Sequence, residues 1–323
     1  MKPTSVMVTG GTGFLGSYVA YHIALNRGCD RVVVFDRNPR TRALGEVGEA
    51  LTYVAGDVNE LEDVVGAMEQ HDVDRVVHLA FAVGEPGPGH MVPYVRVQCM
   101  GTVNVLEAAR TVGVRRVVLG SSVAAYGRKG SDQVLTEDLP PSPDHVYGSA
   151  KVFTEDLARW YVERHGLEIP ALRFGSIYGL GRGNRGSYRS GILAADRAPD
   201  FRAAIEVALR GGAVTMPGSE AVADFCYALD AAEAVWLALS ADTLEFPIYN
   251  VTAERRPLRD FTECFRALLP DADVTMADAG IGAVHQLMST DRIRKSLGFR
   301  PVYTLETGLA DYLARARAAF SLD

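Results

Sequence analysis

The stretch Gly10-Gly11-Thr12-Gly13-Phe14-Leu15-Gly16 stands between a short apolar run and a helical pattern. Its spaced glycines permit a tight turn, a close approach of the backbone to a pyrophosphate, and close packing of the helix on the strand. The helix start then points free N–H groups and its positive dipole end at the phosphates. The stretch therefore predicts a dinucleotide-binding turn. We expect its contacts to come from Gly10, Gly13, Phe14, Leu15 and Gly16.

Short apolar runs alternate with helical patterns through the first half of the chain. The runs are almost wholly apolar, as expected of strands buried on both faces of a parallel sheet. The predicted strands are Ser5–Val8, Arg31–Phe35, Leu51–Ala55, Arg75–Leu79 and Arg116–Leu119, and the predicted helices are Leu15–Asn26, Leu61–Gln70 and Val103–Val112. This alternation predicts an α/β fold of the Rossmann type, a doubly wound parallel sheet with helices on both faces.

After Gly179 the pattern loosens. The Gly- and Arg-rich stretch Gly179–Gly191 predicts a loop. The later predicted elements are a helix at Phe201–Leu209, a strand at Ile248–Val251, and helices at Leu258–Leu268 and Leu305–Ala319. We expect a nucleotide-binding core of residues 1–178 and 223–251. A smaller, interleaved substrate-binding region is then expected at residues 179–222 and 252–323.

Asp36 ends the second predicted strand, in the run Val33-Val34-Phe35-Asp36. A carboxylate at this place can bind both ribose hydroxyls of NAD, and it would repel the extra phosphate of NADP. Together with the glycine turn, the preceding strand and the following helix, it completes the signature of a dinucleotide site. We therefore expect NAD, with NADP less favoured. Arg37 and Arg40 follow at once and offer charge to a 2′-phosphate, so NADP stays an alternative.

Two further strand ends supply expected cofactor contacts. Asp57 and Val58 follow the third strand and are placed to reach the adenine edge, although an Asp at such a position also serves as a turn or helix cap. Leu79, Ala80 and Phe81 stand at the end of the fourth strand, where the backbone must approach the cofactor.

The composition excludes several classes of protein. The formal net charge is −7, and an acidic balance argues against a nucleic-acid partner, whose binding rests on clustered Lys and Arg. No apolar run approaches the roughly 20 residues that span a bilayer, so we expect no membrane partner. A strand-like run begins at Thr4, so we expect no signal peptide. The four cysteines form no CxxC pair, which predicts reduced thiols, no metal site and a cytoplasmic protein.

Tyr147 and Lys151 open a helical pattern that runs to about His165. Residues four apart lie on one helix face, one turn apart. A nearby ammonium group, together with the nicotinamide cation, favours the phenolate and lowers the pKa of a tyrosine, which then serves as a general acid or base. Lys151 can also hold the nicotinamide ribose. A YxxxK pair alone also occurs in plain amphipathic helices, so its weight depends on its surroundings.

Ser122 supplies those surroundings. Ser121 and Ser122 follow the fifth predicted strand, and ligands of an open parallel sheet sit beyond the carboxyl ends of its strands. Ser122 is therefore expected to hydrogen-bond the reacting oxygen. A serine nucleophile is disfavoured, because no Gly-x-Ser-x-Gly elbow surrounds either serine.

These motifs together resemble the extended short-chain dehydrogenase/reductase family, also called the NAD-dependent epimerase/dehydratase family. The resemblance spans nearly the whole chain. Beside the glycine turn and the YxxxK pair, it rests on Ser122-Val-Ala-Ala-Tyr126-Gly127, on Leu172–Gly179, on Asp224–Asp230 and on Leu297-Gly-Phe-Arg-Pro301. The resemblance implies catalytic roles for Ser122, Tyr147 and Lys151, and a homodimer in which the helices at 103–112 and 147–165 pair across a two-fold axis.

Departures from the family pattern bear on the reaction. Dehydratases of the family follow the catalytic residue with acidic side chains, whereas Val123 and Ala124 follow Ser122. These side chains have no acid–base capacity, so dehydration is disfavoured. Gln98 replaces the usual Asn of NxxGT, and Ser176 stands where Asn is common.

A second departure concerns the substrate. Members that bind nucleotide sugars carry an Arg just before the Asp-Phe pair, where this chain has Ala223. They carry a second Arg in a later stretch, which corresponds here to Gly280–Met288 and contains neither Arg nor Lys. Charge-assisted bonds supply much of the affinity for a diphosphate, so we expect a substrate without one. Loop arginines at 182, 185 and 189 are an alternative source of charge. The expected substrate contacts are Ser122, Ala124, Tyr147, Ser176 and Arg185.

We therefore expect a cytoplasmic NAD-dependent enzyme that moves a hydride between nicotinamide and a secondary alcohol or ketone of a small polar substrate, such as a sugar, a sugar acid or a polyol. The alternative is an NAD-dependent epimerase of sugars or nucleotide sugars, in which a keto intermediate forms and hydride returns to its opposite face. A cofactor-sensing protein on the same fold is a third hypothesis, disfavoured because a sensor has no need of Tyr147 and Lys151.

Overall fold

The structure is a computed structural model that describes residues 3–26, 28–38, 50–82, 86–127, 133–181, 201–277 and 287–320. Its strands are β1 Ser5–Thr9, β2 Arg31–Asp36, β3 Leu51–Ala55, β4 Arg75–His78, β5 Arg116–Ser122, β6 Val134–Leu135, β7 Ala171–Phe174, β8 Ser176–Tyr178, β9 Val214–Pro217, β10 Val222–Tyr227, β11 Ile248–Val251, β12 Glu254–Pro257, β13 Val274–Ala277 and β14 Leu287–Met288.

The helices of the same residues are α1 Phe14–Asn26, α2 Leu61–Gln70, α3 Met91–Val95, α4 Gly101–Val112, α5 Val146–His165, α6 Ala204–Ala208, α7 Ala228–Ser240, α8 Leu258–Leu268, α9 Asp291–Leu297 and α10 Leu305–Phe320. A π-helical turn, Arg96–Met100, joins α3 to α4, and 3₁₀ turns stand at Val123–Tyr126 and Phe201–Ala203.

The main sheet has seven strands in the order β11-β7-β5-β4-β1-β2-β3, and every neighbouring pair is parallel. The chain progresses outward from β1 in one direction through β2 and β3, and in the other through β4, β5, β7 and β11. The strand order therefore reverses between β1 and β4, and ligands of such sheets bind at the carboxyl ends beside that switch point. The predicted Rossmann fold is confirmed.

The core lies on both faces of this sheet because successive side chains of a strand point to opposite faces. On one face, Val6 and Val8 pack with Tyr18 of α1 and with α7. On the other face, Met7 packs with helices α2, α4 and α5. Full burial of each such aliphatic side chain stabilises the fold by about 1.5–3 kcal/mol, so the wholly apolar strands are held from both sides.

Three smaller sheets lie outside the main one. Strand β10 pairs in parallel with β8 and antiparallel with β12, while β13 pairs with β9 and β14 with β6. These short strands are not among the predicted elements. The division into a cofactor-binding core and a substrate-binding region stays a prediction.

Most predicted elements agree with the structure to within one to three residues at each end. The helix predicted at Phe201–Leu209 is instead a 3₁₀ turn followed by the short α6. The strand predicted at Arg116–Leu119 continues to Ser122, because the Leu119–Ser122 backbone pairs with β7. Most of the predicted loop Gly179–Gly191 lies outside the described residues.

Within the described residues, no helix combines the length and apolar character needed to cross a membrane. The same part of the chain contains no group of three or more His, Cys, Asp or Glu residues suited to a metal ion. All four cysteines are free.

Candidate active site

The glycine turn joins β1 to α1 at the switch point. Gly10 has a φ of +65°, in the left-handed region, and a Cβ there would lie 2.7 Å from the Cα of Ala80. The Gly13 N–H donates to the Gly10 carbonyl at 2.9 Å, and a Cβ at Gly16 would overlap that same carbonyl oxygen. Glycine is therefore required for the turn, for the approach of the β4 end, and for the packing of α1 on β1.

Asp36 lies beside this turn at the end of β2. Its carboxylate accepts hydrogen bonds from the backbone N–H of Thr12 at 3.3 Å and of Asn38 at 3.4 Å. The half-buried carboxylate thus faces the space beyond the turn, where the ribose of a dinucleotide would bring hydroxyl donors. Arg37 is exposed, and Arg40 lies outside the described residues. The turn and the carboxylate together fit NAD.

Asp57 and Val58 follow β3, as predicted, but Asp57 also forms a local turn. Its Oδ1 accepts the backbone N–H and the side-chain amide of Asn59, each at 2.9 Å. Val58 is buried, and its carbonyl accepts a hydrogen bond from Asn104. The turn-forming role considered for Asp57 is therefore present, and its contact with a cofactor stays a prediction.

The end of β4 is fixed by buried polar groups. The ring nitrogens of His78 contact Thr9 Oγ1 at 2.7 Å and Thr102 Oγ1 at 3.1 Å, and burial lowers the pKa of His78 to about 3, with Lys151 adding to that effect. His78 is thus a neutral core residue. Gln98, buried in the π-helical turn, bonds both the N–H and the C=O of Ala82 through its amide.

Ser122 is the last residue of β5 and caps the 3₁₀ turn that carries Ala124. The Ser122 Oγ accepts the backbone N–H of Ala124 at 3.2 Å, which leaves the hydroxyl proton free to donate. Helix α5 begins against this turn, since a Cβ at Gly148 would overlap the Ala124 carbonyl. Tyr147 therefore lies next to the segment that holds Ser122.

The start of α5 is capped by a histidine. His145 has extended backbone, and its Nδ1 accepts the backbone N–H of Gly148 at 2.9 Å. The imidazole ring also stacks on the ring of Tyr147, with centroids 6.2 Å apart and an interplanar angle of 28°. The cap and the ring contact together fix the imidazole at the start of α5.

Lys151 is buried one turn further along the helix and is 2% exposed. Its Nζ donates to the Gly120 carbonyl at 2.7 Å and lies 2.9 Å from the ring centroid of Phe81 and 5.5 Å from that of Tyr147. Burial lowers the pKa of Lys151 well below its usual value, while Glu155 and Cys99 act in the opposite direction. The YxxxK pair therefore stands at the carboxyl end of β5, beside Ser122.

Comparison with known proteins identifies the family of the chain. The sequence model described as "NAD dependent epimerase/dehydratase family" matches residues 6–252. The chain belongs to this family. Among curated relatives, the UDP-glucose 4-epimerase of Azospirillum brasilense is 28% identical over 324 residues, which cover 94% of this chain and 89% of the relative. That of Corynebacterium glutamicum is 28% identical over 320 residues, with coverages of 93% and 91%.

Two solved structures of family relatives are also similar. MoeE5 in complex with UDP-glucuronic acid and NAD has a TM-score of 0.78 at 28% identity, covering 98% of this chain and 99% of that one. The UDP-glucose 4-epimerase of Thermus thermophilus in complex with NAD gives the same four values. As a family member, the chain is an NAD-dependent enzyme of the extended short-chain dehydrogenase/reductase type, and the predicted cofactor is confirmed.

A buried ionic group that is not among the residues predicted from the sequence lies beside the YxxxK pair. The Glu155 carboxylate accepts Ser121 Oγ at 2.5 Å, and Arg173 Nε and Nη2 at 2.8 and 2.6 Å. Glu155 lies one helical turn beyond Lys151, and Ser121 precedes Ser122. The available signal was the YxxxK spacing extended by four more residues to an acid on the same helix face.

The predicted substrate side contains two arginines near Ala223, and each is paired. Ala223 is buried in β10. Its neighbour Asp224 forms an ion pair with Arg255 at 2.9 Å and accepts the Met288 N–H. Arg256, which lies opposite Ala223 across the β10–β12 pair, bonds carboxylates of Asp260, Glu254 and Glu306. Ser176 is half-buried at the start of β8, and Arg185 lies outside the described residues.

Proposed function

We propose that this enzyme transfers a hydride between NAD and a secondary alcohol or ketone of a small polar substrate that has no nucleotide diphosphate. The observation that carries the proposal is the arrangement of Ser122, Tyr147 and a buried Lys151 at the carboxyl end of β5. The cofactor, when bound, supplies the hydride acceptor or donor. Sugars, sugar acids and polyols carry the required carbinol group.

The three side chains divide the proton chemistry among them. In the oxidative direction, Tyr147 accepts the hydroxyl proton of the substrate, and in the reductive direction it returns that proton. The Lys151 ammonium favours the phenolate form of Tyr147. The free hydroxyl proton of Ser122 can donate to the reacting oxygen. Val123 and Ala124 offer no group for the elimination of water, which supports hydride transfer over dehydration.

The charges near Ala223 support a substrate without a diphosphate. A diphosphate needs charge-assisted partners to replace its water. Arg255 and Arg256, which lie on the strand beside Ala223, are already neutralised by carboxylates. A ligand phosphate at this place would have to compete with Asp224 or with three acidic side chains. We propose that Ala124 and Ser176 line the substrate site and that Arg185 reaches it.

A second candidate function is epimerisation of a nucleotide sugar. The specific observation in its favour is that the relatives compared above are named UDP-glucose 4-epimerases, and that MoeE5 was solved with UDP-glucuronic acid. The same side chains serve this reaction if the keto intermediate turns and the hydride returns to its other face.

One experiment separates the two. The purified protein is incubated with NAD and a panel of polyols, sugars and sugar acids, and separately with UDP-glucose and UDP-glucuronic acid. NADH formation at 340 nm is recorded, together with the stereochemistry of the products by NMR. Net NADH with a nucleotide-free substrate supports the first function. Interconversion of a UDP-sugar without net NADH, together with micromolar binding of UDP, overturns it in favour of the second.

We propose further that NAD contacts the glycine turn, Asp36 and the ends of β3 and β4. The full set is Gly10, Gly13, Phe14, Leu15, Gly16, Asp36, Arg37, Asp57, Val58, Leu79, Ala80, Phe81, Tyr147 and Lys151. The core of residues 1–178 and 223–251 would bind this cofactor, and residues 179–222 and 252–323 would bind the substrate.

We also propose a homodimer formed through α4 and α5. Phe153 and Trp160 project from the same side of α5 and are 44% and 48% exposed. Apolar side chains exposed together commonly mark an interaction surface. The Tyr161 hydroxyl donates to Glu107, which joins the two helices. A Trp160→Glu variant that sediments as a monomer, beside a dimeric parent, would support this proposal. The free thiols favour a reducing compartment, and we propose the cytoplasm.

A further inference from the structure

The ammonium of Lys151 is held by two groups that come from different strands. The Gly120 carbonyl of β5 accepts one N–H at 2.7 Å, and the ring centroid of Phe81, just after β4, lies 2.9 Å from Nζ. The face of an aromatic ring attracts a cation through its quadrupole, and this attraction grows when the cation is shielded from water. Lys151 is shielded in this way, being 2% exposed.

The ring of Phe81 is fixed in this position from several sides. Its edge contacts the ring of His78, with centroids 4.7 Å apart. The backbone is held on one side by the bond from the Phe81 N–H to the Leu79 carbonyl, and on the other by the Gln98 amide on Ala82. A Cβ at Gly120 would overlap the Leu79 side chain at 2.6 Å and would make ordinary contact with Phe81 Cε2 at 3.7 Å, so the end of β4 packs closely on β5 beside the ring.

We propose that Phe81 is a positioning residue for the proton-transfer pair, whose ring holds the Lys151 ammonium charged and in place at the carboxyl end of β5. This inference deepens the proposed function and rests on its assignment of Lys151. The ring contributes no proton and no hydrogen bond. It acts through Lys151, and therefore on the phenolate of Tyr147.

The other groups around Lys151 explain why a neutral ring matters. Glu155 and Cys99 act to raise the pKa of Lys151, and burial, the larger effect, lowers it. His78, whose ring contacts that of Phe81, stays neutral, and Tyr147 shares the helix. The Glu155 carboxylate is already engaged by Arg173 and Ser121. The Phe81 ring stabilises the cation without burying a second carboxylate, which would itself have to lose its water.

The test exploits the small number of lysines. The chain has only Lys2, Lys129, Lys151 and Lys295, so a sample labelled with ¹³Cε-lysine gives four resolvable NMR signals. The signal of Lys151 is the one that disappears in Lys151→Arg. Titration of the purified protein then gives the pKa of Lys151 directly, without any substrate.

Phe81→Leu is expected to lower the pKa of Lys151 by about half a unit or more, and Phe81→Tyr, which keeps the ring, should restore the parent value. Phe246→Leu is the matched control, because it removes a ring from Arg292 elsewhere and should leave Lys151 unchanged. Phe81→Met serves if Phe81→Leu fails to fold. An unchanged or raised pKa of Lys151 in the ring-less variants overturns the proposal.

A second measurement connects the ring to catalysis. With a substrate found as described above, the acid limb of the kcat–pH profile should move to higher pH in Phe81→Leu and return in Phe81→Tyr. If no substrate turns over, the proposed function fails while the NMR result still decides the role of Phe81. If the Lys151 titration shifts and the kcat profile does not, the ring holds the lysine without affecting the proton transfer, and the positioning role is refuted.

Discussion

The guanidinium of Arg173 donates two hydrogen bonds to the carboxylate of Glu155, from Nε at 2.8 Å and from Nη2 at 2.6 Å. The two side chains are 1% and 5% exposed, and they join strand β7 to helix α5 one turn beyond Lys151. Two opposite charges are thus buried next to the proton-transfer pair, and each compensates for the loss of water around the other.

Removal of one member of this pair should be costly. Arg173→Met leaves the buried Glu155 carboxylate without its guanidinium partner, while the Ser121 hydrogen bond remains, and such losses cost about 3–5 kcal/mol. We expect the free energy of unfolding, measured by urea denaturation, to fall by that amount. The control is Arg259→Met, which breaks the exposed ion pair with Glu220 and should cost at most about 1 kcal/mol. If the free energy of unfolding fell equally in the two variants, burial of the ion pair would not determine how much stability is lost.

Tyr147→Phe tests the general acid–base role. A positioned proton donor contributes about 10²–10⁴-fold to a rate, so kcat at saturating NAD should fall by that factor, and calorimetry measures any change in the Kd for NAD separately. Tyr53→Phe, on the outer strand β3, is the matched control and should keep the parent kcat. A Tyr147→Phe enzyme with full activity would remove Tyr147 from the mechanism.

Asp36→Ala tests the cofactor preference. Hydrogen bonds to a charged group contribute about 1.5–3 kcal/mol, so the Kd for NAD should rise about ten- to hundredfold. The affinity for NADP should rise or stay level, because the carboxylate no longer repels the 2′-phosphate and Arg37 remains nearby. Asp30→Ala, an exposed acid just before β2, should change neither Kd. An unaltered ratio of the two affinities in Asp36→Ala would mean that another residue selects the cofactor.

The glycine turn, the acid after β2 and the YxxxK pair were predictable because each depends on spacing within one short segment. Apolar runs likewise predicted the strands of the main sheet, whose burial on both faces leaves little freedom. The contacts that complete the site join residues far apart in the chain. Arg173 of β7 bonds Glu155 of α5. Phe81 was expected only to bring its backbone near the cofactor. Its ring covers Lys151 because β4, which precedes Phe81, is the neighbour of β5, whose Gly120 carbonyl holds the lysine.

The substrate side was the least predictable part. Ala223 was recognised as the place of a missing arginine, yet the pairing of Arg255 and Arg256 with carboxylates follows from the antiparallel register of β10 and β12. Strands of three to six residues in a separate small sheet carry too few side chains for a distinctive pattern. Packing of the folded chain determines which of these strands pair, and the spacing of residues within one segment does not predict it.

His145 should matter for the stability of the helix that carries Tyr147. Because its Nδ1 accepts the Gly148 N–H, His145→Ala loses an N-cap and should lower the free energy of unfolding by about 1 kcal/mol. His145→Asn supplies another acceptor at the same position and should keep most of that stability. Urea denaturation of the three proteins checks this order. If alanine and asparagine prove equal, the imidazole acts through its stacking on Tyr147 and not as a cap.

Asp230 should make the stability of the fold depend on pH. Its buried carboxylate accepts the N–H groups of Val302 at 2.8 Å and Tyr303 at 3.2 Å, which dock the segment before α10. Burial is the largest influence and raises the pKa of Asp230 from 3.8 to about 6, although those two hydrogen bonds act to lower it. The folded protein therefore holds this proton more tightly than the unfolded chain does.

The folded protein therefore loses stability as the pH rises and Asp230 ionises. The contribution of Asp230 to stability is greatest below about pH 4, declines as the pH rises from about 4 to 6, and is constant above that range, with a total change of about 3 kcal/mol at most. Asp230→Asn cannot ionise and serves as the reference. Urea denaturation between pH 4 and pH 8 should show the parent losing stability relative to this variant as the pH rises from about 4 to 6, and no further change above that range. Because other groups titrate equally in both proteins, the difference isolates Asp230. A difference that stays flat, or that grows in favour of the parent as the pH rises, would mean that the carboxylate is ionised in the fold at its ordinary pKa or below it.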